Sequence, residues 1–142
     1  MTRATHRELA VKAAIVNSER RVLLVRRSQD ADSFAGSWEI PGGRLLPEET
    51  PVEGLRRELL EELGAEADIG RPVDVWDFVS FDSVLVVGIT FQARIDPHAR
   101  LTLSQEHDAQ MWATLAEVRQ LPMSESLRHQ LQQHLAAASG EP

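Results

Sequence analysis

The segment GGRLLPEETPVEGLRRELLEELGA, residues 42–65, constrains the fold of this chain more than any other stretch. It predicts a loop followed by a helix from Pro51 to Leu63. Thr50 is a residue type that caps helix N-termini, and the proline after it suits the first helical turn. Glu53 completes a capping-box pattern with Thr50, and Gly64 suits the left-handed residue that follows a helix. Both ends of the helix are therefore marked in the sequence.

The two faces of this helix carry different side chains. At about 100° per residue, the apolar side chains fall on one stripe: Val52, Leu55, Leu59 and Leu63. Acidic side chains mark another stripe: Glu58 and Glu61, with Glu62 at the border between the two. The pattern predicts that one face packs against the protein and that the other face is acidic.

The acidic face is unfavourable unless a cation binds to it. Glu58 and Glu62 are like charges four residues apart, and negative charge in the last helical turn opposes the helix dipole. A cation would reverse both effects, and carboxylate oxygens without a thiolate favour Mg²⁺ or Mn²⁺. Arg57 can neutralise and orient a carboxylate, together with Glu49 from the loop. The alternative is a solvated acidic face, which is the usual meaning of an acidic run.

The spacing of the segment resembles the Nudix box, Gly-x5-Glu-x7-Arg-Glu-U-x-Glu-Glu-x-Gly-U, where U is a bulky aliphatic residue. The residues at matching positions are Gly43, Glu49, Arg57, Glu58, Leu59, Glu61, Glu62 and Gly64. Only the last position departs, because Ala65 stands where a larger aliphatic residue is usual. This departure reduces packing behind the helix and leaves the carboxylates unchanged.

The resemblance implies an α+β protein with the Nudix fold, an α/β/α sandwich in which a mixed β-sheet lies between helices. It also implies a metal site in which Glu58 and Glu62 hold Mg²⁺ or Mn²⁺. Glu61 and the backbone carbonyl of Gly43 assist, and Arg57 orients the carboxylates. The implied reaction is metal-dependent hydrolysis of a nucleoside diphosphate linked to another group.

A second segment, EHDAQMW at residues 106–112, is similar to the loop that precedes the last strand in many family members. Glu106 is therefore a candidate general base that takes the proton of the attacking water. A box glutamate such as Glu61 is the alternative base, and the sequence does not choose between them. His107 is a weaker candidate.

The residues before the box supply candidates for substrate binding. The string SWEIPGG, residues 37–43, resembles the segment that precedes the box in nucleotide-cleaving members of the family. Trp38 is a candidate for stacking on a base, and packing in the core is the alternative role. Arg26 follows a short apolar run and is a candidate for holding phosphate or base, with simple solvation as the alternative.

The remaining pattern predicts the other elements of the fold. Apolar runs at residues 9–16 and 22–25 flank a turn cluster and predict a β-hairpin. Residues 73–79 and 84–95 predict two strands joined by a turn at 81–83. A last strand is expected at 110–112, a short helix at 115–119 and a terminal amphipathic helix at 124–137.

Composition limits the class of protein. The chain has 142 residues with 42% hydrophobic side chains, which predicts one domain over residues 1–142. A formal charge of −7 argues against nucleic acid as a partner, although a bound cation still allows a small polyanion. The chain has no cysteine, which removes disulfides and thiolate chemistry. Neither a leader nor a membrane span is recognisable, so a soluble, cytoplasmic protein is expected.

The resemblance to the Nudix family implies a pyrophosphohydrolase that acts on a small nucleotide. The SWEIPGG string favours a nucleoside triphosphate, either an ordinary or an oxidised one, as in the MutT-like branch of the family. The alternatives are an ADP-ribose or nucleotide-sugar pyrophosphatase, and a non-catalytic domain that only binds nucleotides. Homodimers are common in the family, but no interface is recognisable in the sequence.

Overall fold

The computed structural model describes residues 4–31 and 33–139, with seven strands and three helices in those ranges. The strands are β1 (His6–Ile15), β2 (Val22–Arg27), β3 (Trp38–Glu39), β4 (Gly42–Arg44), β5 (Asp68–Val79), β6 (Val84–Arg94) and β7 (His107–Ala113). The helices are α1 (Pro51–Leu63), α2 (Leu115–Gln120) and α3 (Glu125–Ser139).

The strands form two sheets. The first sheet has the order β4-β1-β6-β5 and is mixed, because β1 runs parallel to β6 while the other pairs are antiparallel. The second sheet has the order β3-β2-β7 and is antiparallel. The expected α+β architecture with a mixed sheet is confirmed, and the structure adds the second sheet to it.

Helix α1 has the ends that the sequence predicts. The backbone N–H of Glu53 donates to the hydroxyl of Thr50 at 3.2 Å, and Glu53 accepts from the N–H of Thr50 at 3.0 Å. Gly64 ends the helix with a φ of 66°, a conformation that costs glycine little. Local residues therefore determine both ends of α1 before any tertiary contact forms.

Strand β2 lies between the two main hydrophobic cores of the described chain. Leu23 and Val25 pack with α1 and the first sheet, whereas Val22 and Leu24 pack with α2 and α3. All four side chains are completely buried. Alternate side chains of a strand point to opposite faces, so one short apolar run serves both cores.

The prediction that residues 9–16 and 22–25 pair as a β-hairpin is wrong, apart from the contact next to the turn. Strand β1 pairs with β4 and β6, and β2 pairs with β3 and β7, so the two runs belong to different sheets. A single bridge between Val16 and Val22 remains next to the turn. The strands separate because β2 is buried on both faces and must sit between two layers.

The other predicted elements are confirmed with modest changes of length. Strands β5 and β6 form the expected hairpin, and β5 begins earlier than predicted, at Asp68. Strand β7 is longer than expected, and α2 and α3 lie where short and terminal helices were predicted. Among the described residues, no helix is both long and apolar enough to cross a membrane.

The packing of α1 allows a stability prediction. Leu59 is completely buried in the first core, whereas the adjacent Leu60 is 49% exposed. We expect Leu59→Ala to lower the free energy of unfolding by about 2–5 kcal/mol, because it leaves a cavity under the helix. The matched control, Leu60→Ala, should cost clearly less. Urea denaturation of both variants measures the difference, and equal losses would contradict this packing.

Candidate active site

Glu62 differs from the other acidic residues that the structure describes because it is buried. It comes from the last turn of α1 and is only 2% exposed. Its Oε2 accepts a hydrogen bond from the backbone N–H of Gly42 at 3.0 Å, while its Oε1 has no hydrogen-bond partner within the described ranges. Burial and the adjacent Glu58 raise the pKa of Glu62 to about 9, although Lys12 opposes the shift. Without a cation, burial and Glu58 therefore favour the protonated form of Glu62.

Glu106, which precedes β7, and His107, the first residue of β7, lie close to Glu62. Ligand atoms of Glu62, Glu106 and His107 all lie within 4.8 Å of one another. The His107 ring is 4% exposed, and its Nδ1 lies 3.7 Å from Oε1 of Glu62. Both of these buried atoms lack a hydrogen-bond partner among the described residues. The chain thus brings two candidate residues from distant segments, Glu62 and Glu106, to one place.

Glu39 connects this group to two cations. Its Oε2 lies 2.7 Å from Nε2 of His107 and 3.5 Å from Nη1 of Arg27, and its Oε1 lies 4.0 Å from Nζ of Lys12. Burial opposes ionisation of Glu39, but Lys12, His107 and Arg27 outweigh burial and lower its pKa to about 2. Glu39 is therefore ionised and fixes the ring of His107.

Arg57 holds three carboxylates together from the exposed side of α1. Its Nε and Nη2 donate to the two oxygens of Glu49 at 2.5 and 2.9 Å, a bidentate arrangement. Its Nη1 lies 3.1 Å from Glu58 and 3.2 Å from Glu61. The guanidinium of Arg57 lowers the pKa of Glu49 to about 2. Arg57 thus contacts Glu49, Glu58 and Glu61, while its role in orienting carboxylates for catalysis stays a prediction.

The two glycines before the box allow the loop to approach the carboxylates. Gly42 has a φ of 138°, a conformation that side chains disfavour, and a Cβ there would collide with the backbone of Val11. A Cβ on Gly43 would lie 2.7 Å from the carboxylate of Glu58. A side chain at Gly42 would push the loop away from β1, and one at Gly43 would displace the carboxylate of Glu58.

The described residues fit a hard divalent cation. Ligand atoms of Glu62 and Glu106 lie within 4.8 Å of each other, Oε1 of Glu62 accepts no hydrogen bond within the described ranges, and Glu58 lies beside Glu62. These are carboxylate oxygens, the ligands that Mg²⁺ and Mn²⁺ prefer. A cation there would also favour ionised Glu62, which burial alone disfavours. Glu61 differs from Glu62 because it is more exposed, and its carboxylate lies against Arg57.

The two residues suggested for substrate binding lie next to each other. Trp38 is 9% exposed and packs in the second core, in agreement with the packing alternative. The guanidinium carbon of Arg26 lies 5.6 Å from the Trp38 ring centre, and its Nε donates to Asp108 at 2.7 Å. Stacking of Trp38 on a base stays a prediction.

The sequence did not indicate three charged residues that lie near the Glu62 site. Lys12, Glu39 and Arg27 belong to three different strands, and only the sheet pairing brings them near the loop. Lys12 also donates to the carbonyl of Gly42 at 3.3 Å. One signal was present, because a lysine interrupts the otherwise apolar run of β1.

This chain is similar in sequence and in fold to known proteins. The NUDIX domain family model matches residues 6–134. The CTP pyrophosphohydrolase of Escherichia coli K12 is 33% identical over 137 residues, with 94% of this chain and 96% of that protein covered. The nucleoside triphosphatase NudI of Enterobacter sp. strain 638 is 26% identical over 133 residues, with 86% of this chain and 93% of that protein covered. The crystal structure of a MutT protein from Methanosarcina mazei Go1 superposes with a TM-score of 0.81 at 25% identity and covers 99% of both chains.

Proposed function

Since the chain belongs to the NUDIX domain family of pyrophosphohydrolases, we propose that it hydrolyses a nucleoside triphosphate, ordinary or oxidised, to the monophosphate and pyrophosphate. Two similar proteins support this choice of substrate, because one is named CTP pyrophosphohydrolase and the other nucleoside triphosphatase. Both are matched over most of their length. A small-molecule nucleotide is the corresponding partner.

The observation that carries the proposal is the buried carboxylate of Glu62. An ionised carboxylate in this position needs a positive partner, and the nearby Lys12 is engaged with Gly42 and Glu39. A divalent cation at Glu62 would satisfy it and would bring positive charge to a site where phosphates could bind. An acidic protein can bind a polyanion in this way.

In the proposed mechanism, the box carboxylates Glu58 and Glu62 hold Mg²⁺ or Mn²⁺, with Glu61 and the Gly43 carbonyl assisting. When bound, this cation neutralises negative charge that builds up on the phosphates. Arg57 keeps Glu58 and Glu61 in position through the contacts described above. Arg26 is proposed to contact the substrate near the phosphates, with the ring of Trp38 behind its guanidinium.

Glu106 is the general base in this proposal. It lies beside Glu62 at the start of β7, and its carboxylate is exposed, so a water molecule can reach it. Glu106 would take the proton of the water that attacks phosphorus. We expect Glu106→Gln to lower kcat by about 100-fold or more and to change KM little, because general-base catalysis contributes in that range. Steady-state kinetics with Mg²⁺ measure both constants.

Glu61→Gln is the comparison that separates the two candidate bases. If Glu106 is the base, Glu61→Gln should lower kcat much less than Glu106→Gln does. A near-normal kcat for Glu106→Gln, together with a large loss for Glu61→Gln, would assign the proton transfer to the box glutamate instead. Glu48→Gln, which changes an exposed loop carboxylate, serves as a control for both variants.

A substrate panel tests the proposed reaction. The panel contains ordinary and oxidised nucleoside triphosphates, ADP-ribose, other nucleotide sugars and dinucleoside polyphosphates, each with Mg²⁺ or Mn²⁺. We expect a triphosphate to have the highest kcat/KM. Faster turnover of ADP-ribose or a nucleotide sugar would replace the proposed substrate class. Stabilisation by a nucleotide without any turnover would favour a binding domain.

Two further statements belong to the proposal and rest on the sequence: residues 1–142 form one domain, and the protein acts in the cytoplasm. A homodimer is proposed only because homodimers are common in the family. The absence of nucleic acid as a partner likewise stays a prediction from the formal charge of −7.

A further inference from the structure

A row of paired residues crosses one face of the first sheet and begins at the catalytic carboxylates. Gly42 pairs with Lys12, Lys12 pairs with Thr90, and Thr90 pairs with Asp74. Residues that pair across neighbouring strands point to the same face of a sheet. Lys12, Thr90 and Asp74 therefore form a polar row that runs from β1 across β6 to β5.

An aromatic surface lies beside this row. Trp76 follows Asp74 by two residues on β5, so both point to the same face. Its Nε1 donates to the hydroxyl of Thr90 at 2.9 Å, and its ring covers Gly88, where a Cβ would collide with the ring. The ring of Phe78 lies 6.1 Å from that of Trp76 at an angle of 13°. Trp76 is thus fixed in orientation while part of its surface stays accessible.

Asp74 ends the row and keeps one free oxygen. Its Oδ2 lies 2.8 Å from Nε2 of His134 on α3, and both side chains are about one-fifth exposed, at 21% and 22%. Its Oδ1 has no hydrogen-bond partner within residues 4–31 and 33–139. The carboxylate is thus held from one side by an imidazole and can accept a hydrogen bond from a ligand.

The row is long enough for a nucleotide, which would lie over Lys12 and the Trp76 ring because Thr90 between them is only 1% exposed. Three strand spacings separate Gly42 from Asp74, which is about 14 Å. At the Gly42 end, the same glycine contacts both Lys12 and Glu62. Phosphates held near Glu62 would therefore leave the base close to Trp76 and Asp74.

We propose that Asp74, Trp76 and His134 form a base-binding subsite that favours nucleobases with an exocyclic amino group. The proposal rests on the proposed function, since it assumes that the phosphates bind near Glu62. Trp76 provides a stacking surface for the base. His134 acts as a positioning residue that keeps the Asp74 carboxylate oriented.

The chemistry of Asp74 determines the preference. An ionised carboxylate only accepts hydrogen bonds, and the amino groups of cytosine and adenine donate them. Uracil and hypoxanthine carry a carbonyl oxygen at the corresponding ring position, which the carboxylate would repel. CTP against UTP, and ATP against its inosine analogue ITP, are therefore matched pairs that differ at this group.

The test is the ratio of kcat/KM values within each pair. One of the two pairs, CTP with UTP or ATP with ITP, will be the faster substrates of the wild type. Within that pair we expect a higher kcat/KM for the nucleotide that carries the amino group, CTP or ATP. Asp74→Asn should reduce that preference by roughly tenfold, the effect of losing one hydrogen bond to a charged group. Asp77→Asn is the matched control, because Asp77 lies on the same strand, is exposed and points to the opposite face. It should leave the ratio unchanged.

The ratio of kcat/KM values within each pair separates a role of Asp74 in base recognition from a role in folding. If Asp74 only ties α3 to the sheet, Asp74→Asn lowers both kcat/KM values equally and leaves the ratio unchanged, which would overturn the proposal. A wild type without an amino preference in either pair would overturn it as well. A lost preference in both Asp74→Asn and Asp77→Asn would also contradict it.

An experiment without turnover keeps the subsite separate from the proposed reaction. In a ¹⁵N NMR titration of the wild type with CMP and UMP, we expect the indole N–H resonance of Trp76 to shift, with tighter binding of CMP. No shift at Trp76, or equal affinities, would overturn the subsite even if triphosphates are hydrolysed. Binding at Trp76 without hydrolysis of any triphosphate would support the subsite and contradict the proposed function. This titration also decides the matter if Asp74→Asn does not fold.

Discussion

Glu62→Gln should abolish most turnover while leaving the fold of the metal-free protein unchanged. Turnover should fall by about 100-fold or more, because several kcal/mol of charge stabilisation would depend on the cation that Glu62 is proposed to hold. Burial and Glu58 raise the pKa of Glu62, so without a cation the neutral form of its carboxyl is favoured. Glutamine has nearly the same shape as a neutral glutamic acid, and its oxygen can still accept from Gly42. Initial rates and thermal unfolding midpoints without divalent cation measure the two effects.

Addition of Mg²⁺ provides a second readout for the same variant. We expect Mg²⁺ to raise the unfolding temperature of the wild type, because a ligand that binds only the folded state stabilises it. The increase should be absent or much smaller in Glu62→Gln. Glu66→Gln, a change at an exposed carboxylate just beyond α1, is the control and should behave as the wild type does. Near-normal turnover of Glu62→Gln with Mg²⁺ would refute the assignment of Glu62.

Arg57→Lys should lower turnover by about 10- to 100-fold, the range observed when groups that orient metal ligands are replaced. Lysine keeps the positive charge but cannot reproduce the bidentate contact with Glu49 while also reaching Glu58. The carboxylates of the box would then lose their fixed orientation. We expect the concentration of Mg²⁺ needed for half-maximal turnover to rise, which a purely structural loss would not cause.

Arg56→Lys is the matched control for this substitution. Arg56 precedes Arg57 on α1 and is exposed on another side of the helix. Its replacement should leave turnover and the Mg²⁺ dependence as in the wild type. If Arg57→Lys shows wild-type turnover at limiting Mg²⁺, the contacts with Glu49, Glu58 and Glu61 have no role in holding the cation.

Features encoded by neighbouring residues could be predicted from the sequence. Helix α1 begins and ends where expected, because the capping box of Thr50 and the left-handed Gly64 act within one turn. The apolar stripe of Leu55, Leu59 and Leu63 also packs as its period indicated. The proximity of Glu106 to Glu62 agrees with the resemblance of the EHDAQMW segment to family members, although the sequence alone gives no distance between them.

Features that depend on distant pairing could not be predicted. The burial of Glu62 follows from the loop at Gly42 and from β7, and the helical period alone placed Glu62 at the border of the two faces. The hairpin was wrong because a turn motif does not show which sheet each strand will join. The link between Asp74 and His134 joins residues 60 positions apart, and only the fold brings them together.

Product analysis with the best triphosphate of the panel tests the central claim most directly. Wild type and Glu62→Gln are incubated side by side with Mg²⁺, and phosphorus NMR identifies the phosphate products. The account predicts that the wild type forms the nucleoside monophosphate and pyrophosphate, and that the reaction is lost with a chelator and in Glu62→Gln. A nucleoside diphosphate and inorganic phosphate as the products, or the same reaction at a wild-type rate in Glu62→Gln, would contradict it.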